Sequence, residues 1–167
     1  MTLQIMTAVV LTSCLSVFSY AEDAGKTIVV DKRKFSDVYP AVWFSPSTGD
    51  IAPIKERSEI PPDAKYEIWI EPGDPEFGWN PDQKPKGVGF ALIGKGRGEF
   101  TSPSIPSNPK LELKINRLMK EKQASEQLVF YCKAKASECL IMITAMDSKK
   151  ELISFQWRPL KKQPGAR

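Results

Sequence analysis

The sequence predicts a mainly β fold, with α+β as the alternative: an antiparallel sheet with a C-terminal three-strand meander and one helix packed on it. Short runs of β-branched and aromatic residues alternate with turns that contain Pro, Gly and Asp, which is the spacing of antiparallel strands. The last third of the chain holds three such runs in close succession. The 167 residues contain enough apolar side chains for one core but not for two.

The first 21 residues predict a secretory signal peptide. They contain no Asp, Glu, Lys or Arg, and their apolar run spans residues 5–18. Ser19 and Ala21 stand three and one positions before a cleavage point, and the acidic Glu22 follows. We therefore expect a secreted or periplasmic protein whose mature chain begins at Glu22.

Two alternatives to this cleavage remain open. Residues 11–14, Leu-Thr-Ser-Cys, resemble a bacterial lipobox, in which Cys14 would carry a lipid that anchors the protein outside the cytoplasm. The other alternative is an uncleaved N-terminal anchor. Residues 22–160 are predicted to form a single β-rich exported domain, followed by a basic tail at 161–167. No later apolar stretch approaches the length of a membrane span, so we expect no span in the mature chain.

The exported part begins with four predicted strands, at residues 27–30, 41–44, 66–70 and 89–93. In the third strand, alternation predicts one face with Tyr66, Ile68 and Ile70 and the other with Glu67, Trp69 and Glu71. Residues 72–87 are rich in Pro, Gly and Asp and predict a long irregular loop. Residues 94–98 predict a glycine-rich turn.

Two of these strands share a pattern. Trp43 and Trp69 lie 26 residues apart, and each stands between two apolar residues and is followed by Pro and then Gly-Asp. A duplicated unit would produce this pattern, and so would two strands that each end in a Pro-Gly turn. We favour the second explanation, because two copies are too few for a repeat architecture.

Residues 109–122 predict the helix. Asn108 is able to cap a helix, and Pro109 suits its first position. An apolar stripe at helical spacing follows: Leu111, Ile115, Leu118 and Met119. Leu113 lies off that stripe, so a strand through residues 111–115 is the alternative.

The meander is predicted from residues 127–133, 139–146 and 151–157, with turns at 134–137 and 147–150. Turns of four residues place one apolar set on one face: Val129, Tyr131, Leu140, Met142, Ile153, Phe155 and Trp157. They place a second set on the other face: Leu128, Phe130, Ile141, Ile143 and Leu152. Because both faces are apolar, we expect this sheet to be covered on both sides.

Cys132 and Cys139 predict a disulfide. They are the two cysteines left after removal of the signal peptide, in a compartment where disulfides persist. If Lys133 and Glu138 close the hairpin as a hydrogen-bonded pair, the cysteines lie directly opposite each other, at a separation that a disulfide accepts. Two reduced cysteines and a redox-active pair are the alternatives.

The candidate ligand-binding residues are Trp69, Glu71, Asp74 and Trp79. Aromatic rings offer apolar faces for stacking, and carboxylates accept hydrogen bonds from hydroxyl groups, so this region favours a glycan. A calcium site is one alternative, although the spacing differs from that of a dedicated calcium loop. The other is a solvated loop whose aromatic side chains pack onto the core.

Composition excludes several kinds of enzyme. The chain has no histidine, which removes Ser-His-Asp, Cys-His and His-ligated metal chemistry. The stretch Gly89–Lys95 matches Gly-x4-Gly-Lys but is followed by Gly96, where a phosphate-binding loop needs Ser or Thr. We therefore predict no cofactor, no metal and no catalytic residues.

The expected function is that of a non-enzymatic domain that binds or supports an extracytoplasmic partner. The net charge of +4 is mild, and export argues against nucleic acid as the partner. A polysaccharide or another anionic envelope component fits better. The alternative function is a small carboxylate-dependent hydrolase that acts on a glycan.

Overall fold

A computed structural model describes residues 25–34, 41–54, 63–73, 76–79, 86–115, 126–147 and 149–160. The predicted signal peptide, Cys14 and the predicted basic tail lie outside these residues, so cleavage, lipidation and the domain bounds stay predictions. Within the described part, no helix is long and apolar enough to cross a membrane.

The described residues form nine strands and one α-helix. In chain order these are β1 (Lys26–Asp31), β2 (Val42–Phe44), β3 (Ile51–Pro53), β4 (Ile68–Glu71), β5 (Glu76–Trp79), β6 (Gly89–Lys95), α1 (Gly96–Thr101), β7 (Leu128–Lys133), β8 (Glu138–Asp147) and β9 (Leu152–Pro159). The strands build two antiparallel sheets, with orders β1-β9-β8-β7-β6 and β3-β2-β4-β5. The mainly β fold and the C-terminal meander are confirmed.

The two sheets face each other across the main core. Inward side chains of both sheets form one buried cluster, which includes Ile28, Val30, Val42, Phe44, Ile68, Ile70, Phe77, Phe130, Ile141, Ile143, Ile153 and Phe155. The ring of Phe155 meets those of Phe44 and Phe77 edge-on, at centroid distances of 5.5 and 5.3 Å. Since burying such a side chain is worth about 1.5–3 kcal/mol, this core holds the sheets together.

The β7–β8 hairpin forms with the predicted pairing of residues, but a different pair closes it. The Ala134 N–H donates to the Ser137 carbonyl at 2.8 Å, so Ala134–Ser137 is the hydrogen-bonded pair and Lys133–Glu138 is not. Its turn spans residues 134–137, with Lys133 opposite Glu138. Four of its apolar residues lie in an outer cluster, namely Val129, Tyr131, Leu140 and Met142. The residues predicted for the other face of these two strands lie in the main core, namely Leu128, Phe130, Ile141 and Ile143.

The predicted faces of β9 are wrong. Ile153, Phe155 and Trp157 lie in the main core, on the opposite side of the sheet from Met142, and Leu152 is correspondingly reversed. The cause is a β-bulge in β8: Ile143 pairs with Phe155 and Ala145 pairs with Ser154, so that Thr144 is skipped. One extra residue reverses the alternation of side chains. The second turn also lies one residue later than predicted, because Asp147 pairs with Leu152.

The predicted helix at 109–122 is wrong for residues 109–115, which are not helical, and residues 116–122 lie outside the described part. The chain pairs with sheet edges instead, which supports the strand alternative. Glu112 exchanges two main-chain hydrogen bonds of 2.8 Å with Phe90, and the Ile115 N–H donates to the Phe77 carbonyl at 3.0 Å. Tertiary pairing of this kind overrides a weak helical preference.

Residues 111–115, called the bridging segment below, connect the two sheets. Glu112 pairs with Phe90 of β6, while the Leu113 carbonyl accepts a 3.2 Å hydrogen bond from the Trp79 N–H of β5. The segment therefore continues the edge of each sheet in turn. It closes one side of the sandwich with main-chain hydrogen bonds.

The one described α-helix, α1, begins at Gly96, where the sequence predicts only a turn. Its Phe100 is buried in the outer cluster, against β7 and β8. The guanidinium of Arg158 donates to the carbonyls of Phe100 and Thr101, at 2.7 and 3.0 Å. These bonds satisfy two carbonyl groups at the C-terminus of the helix, where carbonyls have no intrahelical donor.

The β2–β3 and β4–β5 hairpins have the same register. Trp43 lies opposite Ala52, and Trp69 lies opposite Gly78, with a constant offset of 26 residues. The two hairpins meet through β2 and β4, where Trp43 stands directly opposite Trp69. The pattern shared in the sequence therefore corresponds to two equivalent hairpins in one sheet.

The loop between β2 and β3 ties this sheet to the other one. The indole N–H of Trp157 donates to the Pro46 carbonyl at 3.1 Å, and the ammonium of Lys26 donates to the Gly49 carbonyl at 3.0 Å. Gly49 has a φ of +69°, and a Cβ there would lie 2.5 Å from the Trp157 ring. Both the backbone and the space therefore require glycine.

We expect Gly49→Ala to lower the free energy of unfolding by about 2–4 kcal/mol, the combined cost of a left-handed alanine and of overpacking. Gly87→Ala is the matched control, because Gly87 has a φ of +76° and a Cβ added there would meet no atom within 4 Å. The control should lose about 1–2 kcal/mol, from the backbone alone. Urea denaturation measures both, and equal losses would contradict the contact with Trp157.

Candidate ligand-binding site

The predicted ligand-binding residues do not share one surface. Trp69 and Glu71 are partly exposed on β4, Asp74 lies outside the described residues, and Trp79 is only 5 % exposed. Trp79 belongs to the main core, where its ring meets that of Phe90 edge-on at 5.0 Å. Trp69 lies on the outer face of the same sheet, so the two indoles do not flank one ligand.

A row of residues crosses the outer face of the four-stranded sheet and is called the tryptophan row below. It consists of the cross-strand neighbours Ala52, Trp43, Trp69, Gly78 and Lys114. Trp43 is buried within it, whereas Trp69 keeps part of its surface open. Trp69 is therefore the indole of this row that a ligand is able to reach.

The Trp69 ring lies directly against Gly78. A Cβ at Gly78 would come within 2.5 Å of two ring carbons, so a side chain there would displace the indole. The indole N–H donates to the carbonyl of Trp79 at 3.2 Å. The ring is thus held in one orientation by the backbone of β5.

A lysine lies beside this ring. The ammonium of Lys114 is 5.3 Å from the Trp69 ring centroid and 2.6 Å from a carboxylate oxygen of Glu76. Glu76 is buried, and it stands opposite Glu71 in the β4–β5 pair. The cation–π contact and the ion pair together position Lys114 over the row, while its side chain stays 54 % exposed.

A second ring and lysine lie near the first. Tyr66 and Trp69 both pack against a cluster of Ala41, Trp43 and Ile54 on the outer face of the four-stranded sheet, called the tryptophan cluster below. The Lys65 ammonium is 5.2 Å from the Tyr66 ring centroid. Lys65 also lies 3.3 Å from an Asp50 carboxylate oxygen, which accepts a 2.8 Å hydrogen bond from Thr48. The Thr48 hydroxyl and then Lys65 lower the pKa of Asp50, and the same contact with Asp50 raises the pKa of Lys65. Both groups stay charged.

The predicted alternation fails just before β4. Tyr66 packs against the tryptophan cluster rather than with Ile68, and Glu67 is buried at 6 % exposure. A Glu67 carboxylate oxygen accepts a 3.1 Å hydrogen bond from the Lys135 N–H in the β7–β8 turn. Glu67 therefore connects the two sheets and is not part of an open carboxylate surface with Glu71.

Cys132 lies directly opposite Cys139, as predicted, but the two form a hydrogen-bonded pair, because such pairs alternate and Ala134–Ser137 is one of them. Both are fully buried and are free thiols in this structure, so the disulfide stays a prediction. Burial, followed by a hydrogen bond with Cys139, raises the pKa of the Cys132 thiol. Burial also raises the pKa of Tyr131, next to it in β7.

The described residues contain no group of three or more Cys, Asp or Glu side chains arranged to hold a metal ion. The sequence did not indicate Lys114, Lys65 or Tyr66 as site residues. The two lysines come from segments outside the strands that carry Trp43 and Trp69. Only the tertiary fold brings Lys114 to the Trp69 ring, whereas Lys65 adjoins Tyr66 in the sequence.

We expect the mature protein, denatured without reductant, to show no free thiol, because the register allows Cys132 and Cys139 to bond. In the folded, reduced protein neither thiol should react quickly, since both are buried and the raised pKa keeps Cys132 protonated. Titration with a chromogenic disulfide reagent before and after denaturation checks both. Two thiols in the denatured, unreduced sample would exclude the disulfide.

We expect Gly78→Ala to destabilise the protein by about 1–3 kcal/mol and to change the Trp69 fluorescence, because the new methyl group displaces the indole. Gly98→Ala is the control, since a Cβ there meets no atom within 4 Å and α1 tolerates alanine. The control should be neutral or slightly stabilising. Unchanged fluorescence in Gly78→Ala would show that the ring does not rest on Gly78.

Comparison with known proteins identifies no relative of this chain. No protein-family model, no curated protein and no solved structure matches this chain. The assignment of function therefore rests on the side chains described above and on their chemistry.

Proposed function

We propose that the protein is an exported, non-enzymatic binding domain whose ligand is an acidic polysaccharide or a similar anionic envelope polymer. The charge-free segment at residues 1–21 supports export to a secreted or periplasmic location, with lipid anchoring through Cys14 as the alternative. The ligand would lie on the outer face of the four-stranded sheet, along the tryptophan row. The observation that carries this proposal is the partly exposed Trp69 ring with Lys114 beside it.

An aromatic ring beside a cation suits an acidic sugar. The apolar face of a sugar ring packs on an aromatic face, while a uronate or phosphate group pairs with an ammonium. Trp69 would supply the aromatic surface and Lys114 the charge. Glu71, at the end of the same strand, would accept hydrogen bonds from sugar hydroxyl groups, and Asp74 retains that predicted role.

The second ring favours a chain over a single sugar. Tyr66 and Lys65 repeat the combination of ring and ammonium beside the same tryptophan cluster. A ligand with several similar units would use both combinations at once, and linked contacts strengthen each other through effective concentration. A monosaccharide would use only one of them.

A glycan hydrolase is the second candidate function, and one observation favours it. Glu71 and Glu76 are directly opposite in the β4–β5 pair, so the two side chains leave the same face of the sheet, as a pair of catalytic carboxylates must. Against it, Glu76 is buried and ion-paired with Lys114. A carboxylate held in this way is poorly placed to reach a scissile bond, so we favour binding.

The test compares binding of polygalacturonate, an acidic chain, with binding of dextran, a neutral one. We expect saturable binding of polygalacturonate by calorimetry, weakened about tenfold by Trp69→Ala and by Lys114→Gln. Lys149→Gln is the matched control, because Lys149 is exposed in the β8–β9 turn, and it should bind like the parent. Added salt should weaken binding of the acidic chain.

Other results would contradict the proposal. Equal affinity for dextran, or no effect of Trp69→Ala, would exclude the tryptophan row as the binding surface. Release of reducing sugar that Glu71→Gln abolishes would favour the hydrolase instead. Circular dichroism on each variant distinguishes lost binding from lost fold.

A further inference from the structure

Strand β1 lies at one end of the five-stranded sheet. Within the described residues, β9 is its only strand neighbour. A cavity of about 450 Å³ lies along the other side of β1, lined by residues 26–29 and, from the β2–β3 hairpin, by Gly49, Asp50 and Ile51. This side of β1 is therefore accessible along most of its length.

Half of the main-chain groups of β1 point to this accessible side. The Lys32 N–H, one residue beyond β1, donates to the Glu151 carbonyl at 3.1 Å. Because β1 and β9 are antiparallel, hydrogen-bonded pairs alternate along them, and the even-numbered residues of β1 bond to β9. The N–H and C=O groups of Thr27, Val29 and Asp31 consequently point away from β9.

The β1 edge lacks the protection that sheet edges commonly carry. The bridging segment pairs with the edges of β6 and β5, whereas no described strand covers β1. Residues 27–30, Thr-Ile-Val-Val, contain no charge and no proline, and their pairing with β9 has no bulge. The apolar Val29 side chain is 45 % exposed. An edge of this composition is prone to pair with another strand.

The sequence of β1 is complementary to itself. When two β1 strands run antiparallel with Val29 opposite Val29 of the second copy, all three outward-pointing residues fall in hydrogen-bonded pairs. Thr27 then faces Asp31, whose carboxylate is able to accept a hydrogen bond from the threonine hydroxyl. Ile28 faces Val30, so apolar residues stay together on the inner face of the joined sheet.

Neighbouring registers lose this match. A shift of the two-fold axis by one residue places Val30 opposite Lys26, or Ile28 opposite Lys32, and so sets a charge against an apolar side chain. In the register centred on Val29, Lys26 and Lys32 oppose each other at the two ends. Each already has an acidic partner, with ammonium-to-carboxylate distances of 3.5 and 2.5 Å respectively.

We propose that the protein forms a two-fold symmetric dimer in which two β1 strands pair antiparallel about Val29. The two five-stranded sheets then join into one continuous sheet. The contact is isologous and closes on itself, because each copy uses its one β1 edge and leaves none for a further copy. The interface contains no residue of the tryptophan row, so it is independent of the proposed polysaccharide binding.

Sedimentation velocity of the mature protein over a range of concentrations tests this dimer. We expect a monomer–dimer equilibrium whose dissociation constant rises about tenfold or more in Val29→Pro, because proline removes the N–H at the axis. That N–H points away from β9, so β1 stays in its sheet. Val29→Thr is the matched control: it keeps the N–H and the β-branched shape, and it should dimerise like the parent.

A charge exchange tests the two-fold axis itself. Val29→Lys and Val29→Glu should each be monomeric alone, since like charges then lie directly opposite each other. An equal mixture of the two variants should form a heterodimer. Loss of structure in either variant would not produce this rescue.

The dimer is excluded if the parent protein stays monomeric at every concentration, or if it grows into larger assemblies instead. A dimer that survives Val29→Pro would place the interface elsewhere on the molecule and overturn the proposal. A mixture of the two charged variants that stays monomeric would overturn the register about Val29. A monomeric parent that binds an extended peptide along β1 would assign this edge to a different chain.

Discussion

The C-terminal meander is apolar on both faces, and the rest of the fold depends on keeping water from each of them. The four-stranded sheet covers the inner face, where Phe155 meets Phe44 and Phe77. Helix α1 covers the outer face through Phe100, and Arg158 on β9 holds the end of that helix. Because an antiparallel sheet with two apolar faces is unstable alone, both covers are needed. The surface that remains accessible to ligands is therefore the face of the four-stranded sheet that points away from the meander.

Sequence alone predicted the parts of the fold that are set by local chemistry. The β7–β8 hairpin followed from its turn and from alternation, which also placed Cys132 opposite Cys139. The faces of β9 did not follow, because no residue near Thr144 marks the bulge, and a single skipped residue reverses every side chain beyond it. The extended course of residues 111–115 depends on two sheet edges that are distant in sequence, so helical spacing there was misleading.

The candidate site shows the same division between local and long-range effects. The outward direction of Trp69 follows from alternation with Ile68 and Ile70. The inward direction of Trp79 required the register of the β4–β5 hairpin, which pairs it with Ile68. Lys114 reaches the Trp69 ring only because the bridging segment pairs with Gly78. The position of Lys114 beside Trp69 was therefore not predictable from sequence patterns.

The two equivalent hairpins differ at several corresponding positions, and one of these differences bears on self-association. Pro53 in β3 and Trp79 in β5 occupy the same place in the shared register. The Trp79 N–H donates to the bridging segment, so the β5 edge accepts a further strand. Proline has no N–H to donate, so the corresponding point of β3 is blocked to strand addition. A sheet built from two like hairpins thus has one receptive edge, already occupied, and one edge that resists amyloid-like growth.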